Sequence, residues 1–110
     1  MDTPLNYPQI VKKLLQDYAQ FLRQPSDNLR LLFDDEHKGY ALLDFGWQNK
    51  RYLHGAVVHV DIIDDKVWIQ CDNTEHGIAP ELVELGIPKD KIVLGFRPAQ
   101  LRQYTGFGVA

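Results

Sequence analysis

The chain has 110 residues, 45% of them hydrophobic and 25% charged, with a formal net charge of -3. That length suits one domain, spanning residues 1–110, with a core of its own, and that composition is ordinary for a water-soluble globular protein rather than a disordered or fibrous one. The single cysteine, Cys71, excludes an internal disulfide and a Cys-rich zinc site within one chain, and no apolar run approaches the roughly 20 residues that cross a bilayer.

The opening residues Met1-Asp2-Thr3-Pro4 lack a basic region followed by an apolar run, so a cytoplasmic protein that does not engage a membrane is expected. Residues 5–22 read as a helix: Tyr7, Val11, Leu14, Tyr18 and Phe21 recur at three- and four-residue spacing, and Ile10 and Leu15 widen the stripe. Gln24-Pro25-Ser26-Asp27 then stops the helix and turns the chain.

Four strands are expected next, over residues 29–34, 40–48, 51–63 and 66–72. Asn49-Lys50 and Asp64-Asp65 read as the two tight turns of consecutive hairpins. Pairing across Asp64-Asp65 sets Ile62 against Val67, Val60 against Ile69 and Val58 against Cys71, an apolar face. Pairing across Asn49-Lys50 sets Trp47 against Tyr52, Phe45 against His54, Leu43 against Ala56 and Ala41 against Val58, which carries that apolar face into the second strand. On this reading Leu14 and Phe45 are core residues. Tyr40, Leu42, Leu53, Val57, His59, Asp61, Ile63, Trp68, Gln70 and Asp72 occupy the other face, with a cross-strand row Tyr40–His59–Gln70.

Beyond residue 78 the elements shorten. Pro80 fits the first turn of a small helix that Gly86 ends. Residues 92–96 form an apolar segment suited to a short strand, and residues 98–104 a last short helix. The expected fold is a two-layer α+β domain: an N-terminal helix packed on a four-stranded antiparallel meander, with short C-terminal helices.

Charge is uneven. Residues 53–86 carry seven acids against Lys66, whereas residues 87–110 carry Lys89, Lys91, Arg97 and Arg102 against Asp90. An acidic middle beside a short basic tail lacks the clustered cations of a nucleic-acid binder. Arg97 and Arg102, close to Phe96 and Tyr104, are the only aromatic–basic interleave, so weak DNA binding through that tail is one alternative reading.

The ordered segments His59-Val60-Asp61-Ile62, Lys66-Val67-Trp68-Ile69-Gln70, Asp72-Asn73-Thr74-Glu75-His76-Gly77-Ile78-Ala79, Gly86-Ile87-Pro88-Lys89, Ile92-Val93-Leu94-Gly95-Phe96 and Tyr104-Thr105, together with Gly46-Trp47, resemble the XisI-like family. These are the fdxN element excision controlling factors of cyanobacteria. The chain departs from that family's pattern at Lys50 and Asp65, where turn glycines are expected. The resemblance implies a small accessory protein without catalytic residues. Such a protein acts with a XisH-like partner to control excision of a DNA element by a separate recombinase.

Two constellations bear on mechanism. His59, Asp61 and Asp72, on alternate strand positions, offer imidazole and carboxylate groups to a metal-assisted hydrolase or nuclease, against the plainer reading of a polar sheet face. The mixed face around Tyr40, His59, Asp61, Trp68 and Gln70, with the basic segment Phe96, Arg97 and Arg102, suits protein docking better, because aromatics enrich interface cores. A homodimer or a XisH-like protein are its expected occupants, and no cofactor is expected. Asp72, Asn73 and Thr74 are expected to form a side-chain-capped turn into the following helix, not a calcium loop.

Overall fold

A computed structural model describes residues 6–22 and 28–109. Gln24-Pro25-Ser26-Asp27, expected to stop the first helix, lies outside the described residues. Helix α1 (Tyr7–Leu22) begins where Asn6 caps it: the Gln9 backbone N–H donates to Asn6 Oδ1 at 3.1 Å. Its apolar stripe buries Val11, Leu14 and Leu15, while Tyr7, Ile10, Tyr18 and Ala19 pack at the margin. Phe21, expected on that stripe, is instead 82% exposed.

The sheet has five strands in the order β1 (Asn28–Asp34), β2 (Gly39–Gln48), β3 (Arg51–Ile63), β4 (Lys66–Asp72) and β5 (Ile92–Leu94). The first three pairings are antiparallel and β4–β5 is parallel. The expected four-stranded antiparallel meander is therefore a five-stranded mixed sheet. A parallel neighbour needs a crossover connection. Helix α2 (Ala79–Glu84) supplies it, with Pro80 in its first turn. Gly86 takes the left-handed conformation, φ 107°, that ends α2 and lets the Ile87 N–H reach Leu82 O at 3.1 Å, so that Ile87 returns to the core. A 3₁₀ turn at Lys89–Lys91 leads into β5, and a 3₁₀ helix spans Ala99–Tyr104.

Both tight turns stand where expected. Asp64 and Asp65 have φ of 51° and 60°, the doubly left-handed turn that follows the twist of a two-residue hairpin. Beyond the turns the registers shift. Val57 is an extra residue of β3 opposite the Leu42–Leu43 step, and Gln70 is an extra residue of β4 opposite the His59–Val60 step.

These two bulges reassign faces. Leu42 pairs with Val58 and Tyr40 with Val60, so Tyr40 and Leu42 join Val58, Val60, Ile62, Val67 and Ile69 in the core. Leu43, Phe45 and Trp47, expected in the core, turn to the face that carries no α-helix; Trp47 is 72% exposed. Ala41 pairs with His59, not Val58, and Cys71 pairs with His59, not Val58. The row Tyr40–His59–Gln70 does not form.

Candidate functional site: the helix-free sheet face

The face opposite α1 and α2 is built from alternate residues of each strand. Near the Asp64-Asp65 turn its centre is Asp61, whose register partners are Gly39 on β2 and Trp68 on β4. His59 Nε2 lies 3.2 Å from Asp61 Oδ1, and Gln70 Nε2 donates to Asp61 Oδ2 at 3.3 Å. The bulge at Gln70 keeps its amide on the same side of the sheet as the carboxylate while shifting Cys71 opposite His59. Glycine at position 39 leaves room for the carboxylate: a Cβ there would stand 3.0 Å from Asp61 Oδ1. His59 and Asp61 remain partly exposed, so the group is open to a partner.

The C-terminal segment crosses this face at its β4–β5 end. Gly108 bridges to Val93, and its N–H donates to Ile92 O at 2.7 Å. The Arg102 guanidinium stacks 5.1 Å from the Trp68 ring centroid. It also donates from Nε to Arg97 O at 3.1 Å and from Nη2 to Gly95 O at 3.4 Å. Arg102 thus pins the segment to the sheet, and its positive charge stays at the rim. Arg97 stacks on Phe96 at 5.4 Å, and both are exposed.

Of the residues singled out in the sequence, the structure groups His59, Asp61, Trp68, Gln70 and Arg102 on one face, with exposed Phe96 and Arg97 on the segment that crosses it. It removes Tyr40 from that group. Tyr40 is 1% exposed, its ring meets Phe33 edge-on at 5.7 Å, and its hydroxyl donates to Asp35 Oδ1 at 2.9 Å. Burial, reinforced by the Asp35 carboxylate, pushes its pKa up to about 12.

Asp72 also leaves the group. The second bulge sets it opposite core residue Val58, on the helix side. There its carboxylate accepts hydrogen bonds from the Thr74 N–H at 3.0 Å, the Thr74 hydroxyl and the Ile78 N–H at 2.7 Å. This is the expected capped turn into α2. It also dissolves the His59–Asp61–Asp72 set expected for a metal-assisted reaction. Among the described residues no three His, Cys, Asp or Glu side chains are placed to hold a metal ion.

The sequence profile of the XisI protein family matches residues 1–109. This chain belongs to the XisI family. Its fold is similar to that of a XisI-like protein from Anabaena variabilis, with a TM-score of 0.88 at 39% identity over 94% of this chain and 96% of that one. It is also similar to the fdxN element excision controlling factor XisI from Anabaena variabilis, with a TM-score of 0.83 at 28% identity over the same 94% and 96%. No curated protein matches the chain. Among the described residues no helix is long and apolar enough to cross a membrane.

Two surface features of this XisI-family chain go beyond the sequence reading, which paired Trp47 with Tyr52 and Phe45 with His54 as found but placed Phe45 and Trp47 in the core. The first is the arm formed where β2 and β3 run beyond β1 and β4. Trp47 meets Tyr52 edge-on at 5.1 Å and Phe45 meets His54 at 6.3 Å, giving an exposed aromatic ladder. The doublets Leu42-Leu43 and Val57-Val58 interrupt strict alternation and are the signal that would have located it. The second is a groove of about 620 Å³ between α1 and α2, with Leu14, Tyr18, Phe21 and Leu85 as an apolar lining and Asp17, Glu75, Glu81 and Glu84 as carboxylates at its edge. Burial raises the pKa of Tyr18, and the nearby Asp72, Glu81 and Glu75 carboxylates add to the effect. The helices bring together acids that are distant in sequence, which no local motif announces. Phosphate would be repelled there.

Proposed function

We propose that this chain is a non-enzymatic accessory factor that controls site-specific excision of a DNA element of the fdxN type, acting by docking to a XisH-like protein. The observation that carries the reading is the likeness, over 94% of the chain, to the fdxN element excision controlling factor XisI. The helix-free face supports docking as the mechanism. It combines partly buried hydrogen-bonding groups at His59, Asp61 and Gln70 with an aromatic–cationic border at Trp68, Arg102, Phe96 and Arg97. Interfaces favour that mixture, and aromatic and arginine side chains carry much of their energy.

Co-expression of the tagged chain with a XisH-like protein, followed by affinity capture, tests the reading. The wild-type chain is expected to retain the XisH-like protein in stoichiometric amount, and the surface variant Arg97→Ala to weaken retention while remaining folded. A folded wild-type chain that captures none overturns docking to this partner. DNA binding through the basic tail predicts an affinity that falls steeply with salt, and such a dependence with no partner capture would replace the docking mechanism.

A further inference from the structure

We infer that strand β1 is the interface of a symmetric homodimer, in which two copies pair antiparallel through their β1 edges, centred on Leu32, to make one ten-stranded sheet. The inference is independent of the excision role.

The two sheet edges are treated differently. At the β5 edge the chain covers its own backbone, since Gly108 bridges to Val93 and donates to Ile92 O. At the other edge β1 pairs with β2 alone, and no backbone hydrogen bond leaves its outer side among the described residues. Edge strands are normally blunted by proline, by a bulge, or by being very short. β1 has seven residues, no proline, no glycine and an uninterrupted register with β2. Its exposure alternates without a break: Asn28, Arg30, Leu32 and Asp34 are exposed and Leu29, Leu31 and Phe33 pack toward the core. Leu32 is 48% exposed in the middle of that row.

The side chains choose the register. A two-fold axis perpendicular to the sheet keeps like faces together, and a residue of β1 then faces its own copy. Centred on Leu32, the pairing sets Arg30 opposite Asp34 of the second copy, twice by symmetry, with Leu32 against Leu32 between them. On the covered face Leu31 then meets Phe33. Centring on Leu31 sets Arg30 against Leu32, and centring on Phe33 sets Leu32 against Asp34; neither matches charge with charge. Arg30 has no ion-pair partner among the described residues. Asp34 already holds the turn, accepting from the His37 N–H at 3.1 Å and lying 2.9 Å from His37 Nδ1, so its carboxylate is oriented before a second copy arrives. Opposite charges directly across an antiparallel pair favour that register, and like charges oppose it.

Sedimentation of the full chain over a concentration series, with circular dichroism to verify folding, tests the inference. The wild-type chain is expected to be dimeric. Arg30→Asp places like charges across the pair twice and should weaken the dimer at least about tenfold. The double variant Arg30→Asp/Asp34→Arg should recover it. Because Asp34 also braces the turn, Leu32→Lys serves as a second disruptor and is expected to be monomeric. A wild-type chain that stays monomeric throughout overturns the inference. So does a dimer unchanged by both Arg30→Asp and Leu32→Lys, which would place the contact elsewhere. A folded double variant that stays monomeric overturns the Leu32-centred register.

Discussion

The two faces of the sheet come from the same strands yet obey different rules. On the helix side Tyr40, Leu42, Val58, Val60, Val67 and Ile69 are all fully buried, and the polar atom of the one that has one, the Tyr40 hydroxyl, meets Asp35 at the margin. On the helix-free side aromatic, aliphatic, imidazole and carboxylate groups alternate, and many stay exposed. The covered face therefore tells about folding, because every atom there is constrained by packing. The open face tells about recognition, because a folded monomer gains little from keeping Trp47, Tyr52 and Leu32 at its surface.

Adjacent residues give the hardest test of this division. Leu42 and Leu43 have identical side chains, but strand alternation sends one inward and the other outward, and the bulge at Val57 in β3 keeps Leu42, not Leu43, on the face shared with Val58 and Val60. Leu42→Ala should cost about 2–5 kcal/mol in denaturant unfolding, the usual cost of emptying a fully buried leucine site. Leu43→Ala should cost less than about 1.5 kcal/mol. Equal costs would mean that the face assignment of β2 is wrong.

The next test sets two carboxylates against each other. Asp72, on the helix side, accepts two backbone N–H bonds and one hydroxyl at the start of α2. Asp72→Ala leaves those donors unpaired and should cost about 1–3 kcal/mol. Asp61 meets only side chains, on a partly exposed surface. Asp61→Asn should change stability by less than about 1 kcal/mol and act on partner capture instead.

Much of the fold was legible because it rests on local chemistry. The stripe of α1 apart from Phe21, both tight turns, the Pro80 start and Gly86 stop of α2, and the Asp72 capped turn all stand as their residues predict. Faces were right next to the Asp64-Asp65 turn and wrong beyond each bulge. A single extra residue inverts every position after it, and neither Val57 nor Gln70 is a glycine or proline that would announce one. Tyr40 was therefore placed on the open face and lies in the core. The parallel position of β5 depends on how α2 and Ile87 pack, which strand patterning does not encode. His59, Asp61, Trp68 and Gln70 were legible as neighbours since they sit within a few residues of a correctly assigned turn.

Tyr40 ties the covered face to pH. Its pKa is raised from 10.0 to about 12, so the fold favours the neutral phenol. A group raised in this way contributes stability that is complete below its unfolded value and is lost as pH climbs through its folded value. Stability should hold to about pH 10 and decline from there to about pH 12, and Tyr40→Phe should remove the Tyr40 share of that alkaline limb, leaving the part that Tyr18 contributes. Hydrogen bonds from Lys12 and Tyr40 hold the Asp35 carboxyl below its usual value. Its contribution is therefore present above the ordinary carboxylate range and lost as pH falls through the lowered value. Thermal melts across both ranges check the two limbs.

The smallest expected effect concerns the two turn positions, Asp65 and Lys50, where the sequence reading expected glycine. Asp65 has a φ of 60°, which an aspartate occupies only against steric resistance between its Cβ and the backbone. Asp65→Gly removes that strain, though it also frees the unfolded chain, so a net gain of about 0.5 kcal/mol is expected. At the other turn Asn49 takes the left-handed conformation, with a φ of 56°, and Lys50 does not. Lys50→Gly thus relieves nothing and adds only unfolded-state entropy, a loss of about 0.5 kcal/mol. The same substitution should therefore act with opposite signs at two similar turns, because backbone conformation, not position in a pattern, decides what glycine is worth. Paired thermal melts of the two variants would reveal it, and a gain at both would mean that the turns share one geometry.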